Sequence, residues 1–178
     1  MNMTKKPAVF VDRDGTLIEE VNYLHRVEDL RLFDFTAEAV SQLKEAGYLV
    51  IVVTNQSGIG RGVYTEADMH AVHDAIQEQL DNAIDGFYFC PHLPDEGCAC
   101  RKPGRGMIDS ALKEFEIDLE SSWMVGDKNI DVETGRNIGS KSALVLTGYG
   151  AEHQSQLDHQ PDVIAADLGA AAKEITKG

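Results

Sequence analysis

Short runs of apolar, β-branched residues alternate with helix-patterned segments from one end of the chain to the other. Strands separated by helices pair in parallel, and a parallel sheet is stable only when helices cover both of its faces. The first run, Ala8 to Val11, stops at Asp12. Thr36 is placed to cap a helix that puts Ala39, Val40 and Leu43 on one face and stops at Gly47. Tyr48 to Val53 reads as a strand buried on both sides, and Thr65 opens a long helix carrying Met69, Val72, Ile76 and Leu80. Further strands are expected at Phe87–Phe89, Trp123–Val125, Ala143–Leu146 and Val163–Ile164. Between and after them fall helices at Met107–Phe115, ahead of Gly139, and at Leu168–Ile175. The expected fold is α/β: a three-layer, Rossmann-like parallel sheet with helices on both faces. No segment is long enough for a large cap domain, and no Pro/Gly/Ser-rich linker divides the chain, so residues 1–178 are expected to form one domain.

Charge narrows the function. Thirty acidic residues against 16 Lys and Arg give a net charge of −14, the wrong sign for a nucleic-acid or anionic-membrane surface. A few local cations can still hold a small anion at short range. No stretch approaches the roughly 20 apolar residues that span a bilayer, and the N-terminus lacks the apolar core of a signal peptide. A cytoplasmic location is expected, with no nucleic-acid or membrane partner.

In open parallel sheets, ligands bind beyond the carboxyl ends of the strands. The residues there are Asp12-Arg13-Asp14-Gly15-Thr16, Thr54-Asn55-Gln56-Ser57, Cys90-Pro91-His92 and Gly126-Asp127-Lys128. Asp12 and Asp14 are two residues apart, which on an extended backbone points both side chains the same way. Adjacent carboxylates repel unless a cation lies between them. Asp127 and Asp131 could complete an oxygen-rich site suited to Mg²⁺. One such carboxylate could serve as nucleophile toward phosphorus and another as proton carrier, with Thr54, Asn55 and Lys102 stabilising the transferring group. Taken alone, a D-x-D pair is more often a solvated turn. Here several suitable loops each follow an apolar strand, and together they read as phosphoryl transfer to water.

Val-Asp-Arg-Asp-Gly-Thr-Leu, Val-Thr-Asn-Gln-Ser, Arg-Lys-Pro and Val-Gly-Asp-Lys-Asn-Ile-Asp, in this order from Asp12 to Asp131, resemble the four motifs of the haloacid dehalogenase-like phosphohydrolases. The resemblance implies Asp12 as nucleophile and Asp14 as general acid and base. It also implies Mg²⁺ held by Asp12, the backbone carbonyl of Asp14, and Asp127, with Thr54 and Lys102 stabilising the phosphoryl group.

Cys90, His92, Cys98 and Cys100 form a Cys₃His set around a five-residue loop, the donor chemistry of a structural Zn²⁺ site. The one-residue spacing within each half is tighter than usual, and buried free thiols or a redox pair are the alternatives. Arg101 and Lys102 follow directly, so a metal clamp would fix where the Lys102 cation points. Within the superfamily, this loop resembles the heptose-bisphosphate and histidinol-phosphate phosphatases, and Thr54 to Gly62 is more similar to the heptose group. That resemblance implies a small phosphorylated sugar as substrate and a place in lipopolysaccharide heptose biosynthesis. The implied substrate contacts are Arg13, Glu20, Val21, Asn22, Tyr23, Thr54, Asn55, Gln56, Ser57, Arg101 and Lys128.

Gly104-Arg105 departs from the family, which commonly has a second proline there; Arg105 is expected to be a solvated loop charge. His70, His73, His153 and His159 are expected to be structural or superficial, with His25 near the substrate contacts. The short loops favour a monomer. From another class, a receiver-like signalling domain also places acidic residues, Thr and Lys at strand ends, but would carry its key Asp after a middle strand.

Overall fold

The structure is a computed structural model and describes residues 4–178. Six strands form one all-parallel sheet: β1 (Ala8–Val11), β2 (Leu49–Asn55), β3 (Gly86–Cys90), β4 (Trp123–Gly126), β5 (Lys141–Val145) and β6 (Val163–Ala165). Their spatial order is β3-β2-β1-β4-β5-β6. The order reverses between β1 and β4, which makes the gap beyond their carboxyl ends the expected ligand crevice. It also disfavours a receiver-like domain, whose flavodoxin-like order is 2-1-3-4-5.

Alternation along each strand builds two cores. Val9, Val11, Val50, Val52 and Val125 face one way and pack against α1 (Thr36–Glu45), α3 (Glu66–Gln79) and α7 (Leu168–Ile175). Ala8, Phe10, Ile51, Val53 and Met124 face the other way, against α4 (Gly106–Glu114) and Ile138 of α5 (Asn129–Ile138). Phe10 is paired in register with both Ile51 and Met124, so the central strand is sealed on every side. Burying side chains of this size stabilises by about 1.5–3 kcal/mol each.

Local signals set the element ends. Thr65 and Asp68 form a reciprocal capping box at the start of α3. Gly139 takes φ 76° after α5, the left-handed turn that glycine adopts without strain. Thr36 departs from expectation. Phe35 is the cap, and Thr36 is the first helical residue, its hydroxyl donating to the Leu17 carbonyl at 2.6 Å. A buried carbonyl in the β1 loop offered that hydroxyl a better partner than its own helix. Two short helices, α2 (Ser57–Gly60) and α6 (Gly150–His153), were not foreseen. No helix among the described residues is long and apolar enough to cross a membrane.

Candidate active site

The carboxyl ends of β1 and β4 deliver Asp12 and Asp127 side by side. The Asp12 amide donates to the Val125 carbonyl at 2.9 Å, so the residue leaving β1 is tied to β4. Asp12, Asp127 and Asp131 are all buried and bring carboxylate oxygens within 4.8 Å of one another. Glycines make room for this. A Cβ on Gly126 would lie 2.1 Å from Asp131 Oδ2, and one on either Gly15 (φ +82°) or Gly148 (φ +55°) would lie 2.3 Å from Asp127 Oδ2. The Asp127 carboxylate is therefore held between two bare stretches of backbone.

Lys102, 3% exposed, enters from the loop after β3 and bridges two of these acids. Its Nζ donates to Asp12 Oδ1 at 2.8 Å and to Asp131 Oδ1 at 2.7 Å. Asp131 Oδ2 accepts from the Lys128 amide at 3.1 Å, so both Asp131 oxygens are engaged by the protein. Burial raises the Asp12 carboxyl, but the Lys102 ammonium outweighs it and holds Asp12 below the ordinary carboxylate range. Asp127 has no such partner. Burial, then the charges of Asp12 and Asp131, push it up to about 9. Its Oδ2 accepts from the Tyr149 amide at 2.9 Å, whereas Oδ1 is buried with no hydrogen-bond partner among the described residues. An orphaned buried oxygen among crowded carboxylates fits a divalent cation, and Asp12 and Asp127 are the two that could hold it.

The second loop organises its neighbours. The Asn55 amide accepts from the Lys102 N–H at 3.0 Å and donates to the Lys102 carbonyl at 3.4 Å. Thr54 is buried, its hydroxyl accepting from Gln56 Nε2 at 2.8 Å. Gln56 Nε2 also donates to Asp14 Oδ2 at 3.1 Å, while Gln56 Oε1 accepts from Arg13 and Tyr64. Arg13, expected as a substrate contact, is 1% exposed, and its guanidinium is paired with the Asp14 carboxylate at 3.0 Å. The Asp14 side chain thus turns toward Arg13 and Gln56 and stays outside the cluster of three acids.

Asp14, Glu20, Tyr23, Asn55, Gln56, Ser57 and Lys128 line one open cleft. Arg13 lines it as well, and Tyr64, Leu24 and Gly58, which were not singled out in the sequence, complete it. Val21, Asn22 and Arg101 are not among its lining residues. Arg101 is partly buried, and its Nη1 has no hydrogen-bond partner among the described residues. Burial and the nearby Asp14 push Glu20 up to about 7. The Lys128 ammonium sits 5.1 Å from the centroid of the Tyr149 ring. His153 is not merely superficial, since its Nδ1 accepts from the Asn129 amide at 3.1 Å, at the start of α5. Arg105 pairs with Asp109 on an exposed turn.

Beyond β3, Cys90, His92, Cys98 and Cys100 converge with all ligand atoms within 4.8 Å. His92 Nδ1 lies 3.4 Å from Cys90 Sγ and 3.1 Å from Cys100 Sγ, and the Cys90 and Cys98 sulfurs are 3.5 Å apart. Three soft thiols and an imidazole in a closed cluster fit Zn²⁺.

Comparison with known proteins agrees with this arrangement. The HAD-hydrolase-like family model matches residues 99–171. The D-glycero-D-manno-heptose-1,7-bisphosphate 7-phosphatase of Thermosynechococcus vestitus is 42% identical, the match covering 96% of this chain and 95% of that protein. A probable enzyme of the same name from Thermoplasma acidophilum is 42% identical over 81% of this chain and 92% of its own length. The D,D-heptose 1,7-bisphosphate phosphatase of B. bronchiseptica, solved with magnesium and phosphate, superposes with a TM-score of 0.88 at 30% identity, covering 95% of this chain and 97% of that one. With relatives of this identity matching along nearly their whole length, the chain belongs to the haloacid dehalogenase-like phosphatases, in the group of the heptose-bisphosphate 7-phosphatases.

Proposed function

We propose that this phosphatase removes the 7-phosphate from D-glycero-D-manno-heptose 1,7-bisphosphate, leaving the 1-phosphate for the nucleotide-activation step of lipopolysaccharide heptose synthesis. The observation that carries the reading is the Lys102 ammonium, 2.8 Å from Asp12, in a cluster whose Asp127 keeps a buried, unpartnered oxygen. This is a nucleophile held anionic beside a place for a cation.

Asp12 attacks phosphorus, and the bond from phosphorus to the sugar's O7 breaks with its electron pair on oxygen. Asp14 delivers a proton to that departing oxygen. It then takes one from the water that attacks the aspartyl-phosphate, releasing phosphate and restoring the Asp12 carboxylate. Thr54 and Lys102 stabilise the charge on the transferring group, and Asn55 holds the Lys102 backbone in place. A Mg²⁺ held by Asp12, Asp127 and the Asp14 carbonyl would neutralise charge on the phosphoryl oxygens. A Zn²⁺ held by Cys90, His92, Cys98 and Cys100 would be structural, fixing the loop that presents Arg101 and Lys102.

Glu20, Tyr23, Ser57 and Lys128 are read as sugar and phosphate contacts on the strength of the cleft they share. Arg101, whose buried Nη1 has no hydrogen-bond partner among the described residues, is read as a donor to the distal phosphate. Arg13 and Gln56 are read as supports of Asp14 because their polar groups are already engaged. Residues 1–178 are read as one domain acting as a cytoplasmic monomer, where thiols stay reduced and available to metal.

The test is phosphate release from heptose 1,7-bisphosphate and from histidinol phosphate, side by side with Mg²⁺ and followed by ³¹P NMR. The expected product is the heptose 1-phosphate. Faster turnover of histidinol phosphate would move the chain to the neighbouring group.

A further inference from the structure

His73 is a buried titratable group with no place in the steps above, and its surroundings give it one. It lies on α3, 4% exposed, with its ring stacked on Phe87 of β3 at 4.6 Å between centroids and 19° between planes. His70 is edge-on at 6.4 Å, and among the described residues the charge hydrogen-bonded to the ring is Arg13, whose Nη1 is 3.2 Å from His73 Nε2. A guanidinium can only donate, so Nε2 is the acceptor and the ring's proton sits on Nδ1. Burial and the Arg13 charge push His73 down to about 3, which keeps the ring neutral at any ordinary pH.

The far side of the same guanidinium grips Asp14. Arg13 Nε donates to Asp14 Oδ2 at 3.0 Å, and Nη2 donates to Asp14 Oδ1 at 3.0 Å and Gln56 Oε1 at 3.3 Å. Gln56 Nε2 adds a third donor to Asp14 at 3.1 Å. A planar fork transmits its own orientation to the carboxylate it binds. Within this set, His73 is the link to the body of α3, a long helix anchored in the core.

The geometry points to His73 as a positioning residue for proton transfer: by accepting from Arg13 Nη1 it fixes the fork that aims the Asp14 carboxylate at the sugar oxygen. The inference rests on the phosphatase reading, with Asp14 as proton carrier.

Two substitutions separate this role from packing. His73→Phe keeps a ring on Phe87 but removes the acceptor, while His73→Gln puts an amide oxygen where Nε2 stood. Misplacing a reacting group by an ångström costs up to about 100-fold. The phenylalanine variant should therefore lose about 10- to 100-fold in kcat with KM nearly unchanged, and its kcat–pH profile should change. The glutamine variant should recover most of kcat and restore the profile. Should the phenylalanine chain fail to fold, His73→Asn, whose oxygen falls short of Arg13, should show the same loss of kcat. Variants whose kcat and pH profile match wild type, or fall only in step with lost folded protein, would overturn the inference. A wild-type chain releasing no phosphate from the bisphosphate would overturn the functional reading instead.

Discussion

The side-chain amide of Asn55 brackets the backbone of Lys102, accepting from its N–H at 3.0 Å and donating to its carbonyl at 3.4 Å. The strand that ends in Thr54-Asn55 thereby sets the position of a cation supplied 47 residues later in the sequence. Asn55→Ala should leave the Lys102 main chain to drift. The expected loss in kcat is about 10-fold or more, with a stability cost near 1 kcal/mol. Steady-state kinetics alongside thermal melting measure both, and an unchanged kcat would deny Asn55 this part.

Gly15 is placed to test the carboxylate cluster through sterics alone. At φ +82°, with a Cβ falling 2.3 Å from Asp127 Oδ2, Gly15→Ala must strain the backbone and displace that carboxylate. The expected destabilisation is about 1–3 kcal/mol, and the Mg²⁺ concentration giving half-maximal activity should rise. Wild-type Mg²⁺ dependence in this variant would separate Asp127 from the ion.

The cluster is also predicted to exchange a proton for its cation. Asp127 is held near 9 by burial and by its acidic neighbours, far above its usual 3.8, so without metal it keeps its proton at neutral pH. Its raised pKa means that the metal-free fold loses stability as pH climbs from about 3.8 through about 9, where the unfolded chain has already ionised and the folded one resists. Mg²⁺ should displace that proton, so binding strengthens with pH up to about 9. Calorimetry at pH 7.5 in buffers of different ionisation enthalpy should show net proton release; none would mean that Asp127 is already ionised.

Much of this site was legible in the sequence because strand ends are easy to place. A continuous apolar run stopping at Asp12, and another stopping at Gly126-Asp127, locate the acids on one sheet edge without further information. Capping chemistry placed Thr65 and Gly139 equally well. What residue type could not give was which way a polar side chain turns. Arg13 and Gln56 both line the cleft, and their side chains are also bonded to each other and to Asp14. His73 shares a helix face with Met69 and Val72, which marks it as inward-facing but not as an acceptor for Arg13. Thr36 went astray for the same reason, its hydroxyl taken by a distant carbonyl.

The cluster of Cys90, His92, Cys98 and Cys100, which could hold a metal ion, ends one residue from Arg101 and two from Lys102 in sequence. Elemental analysis should find about one Zn²⁺ per chain. Removing it with a thiol-competitive chelator should abolish turnover in excess Mg²⁺, since the loop carrying Lys102 loses its anchor. Full activity after verified zinc loss would refute the clamp.

The most direct measurement concerns Asp12 itself. Turnover of the heptose bisphosphate is quenched in acid within the first catalytic cycle, and the chain is mapped by mass spectrometry. One phosphoryl group is predicted on the peptide carrying Asp12, with label and activity both lost in Asp12→Asn. Undiminished turnover by that variant, or a phosphoryl group trapped on another residue, would contradict the account.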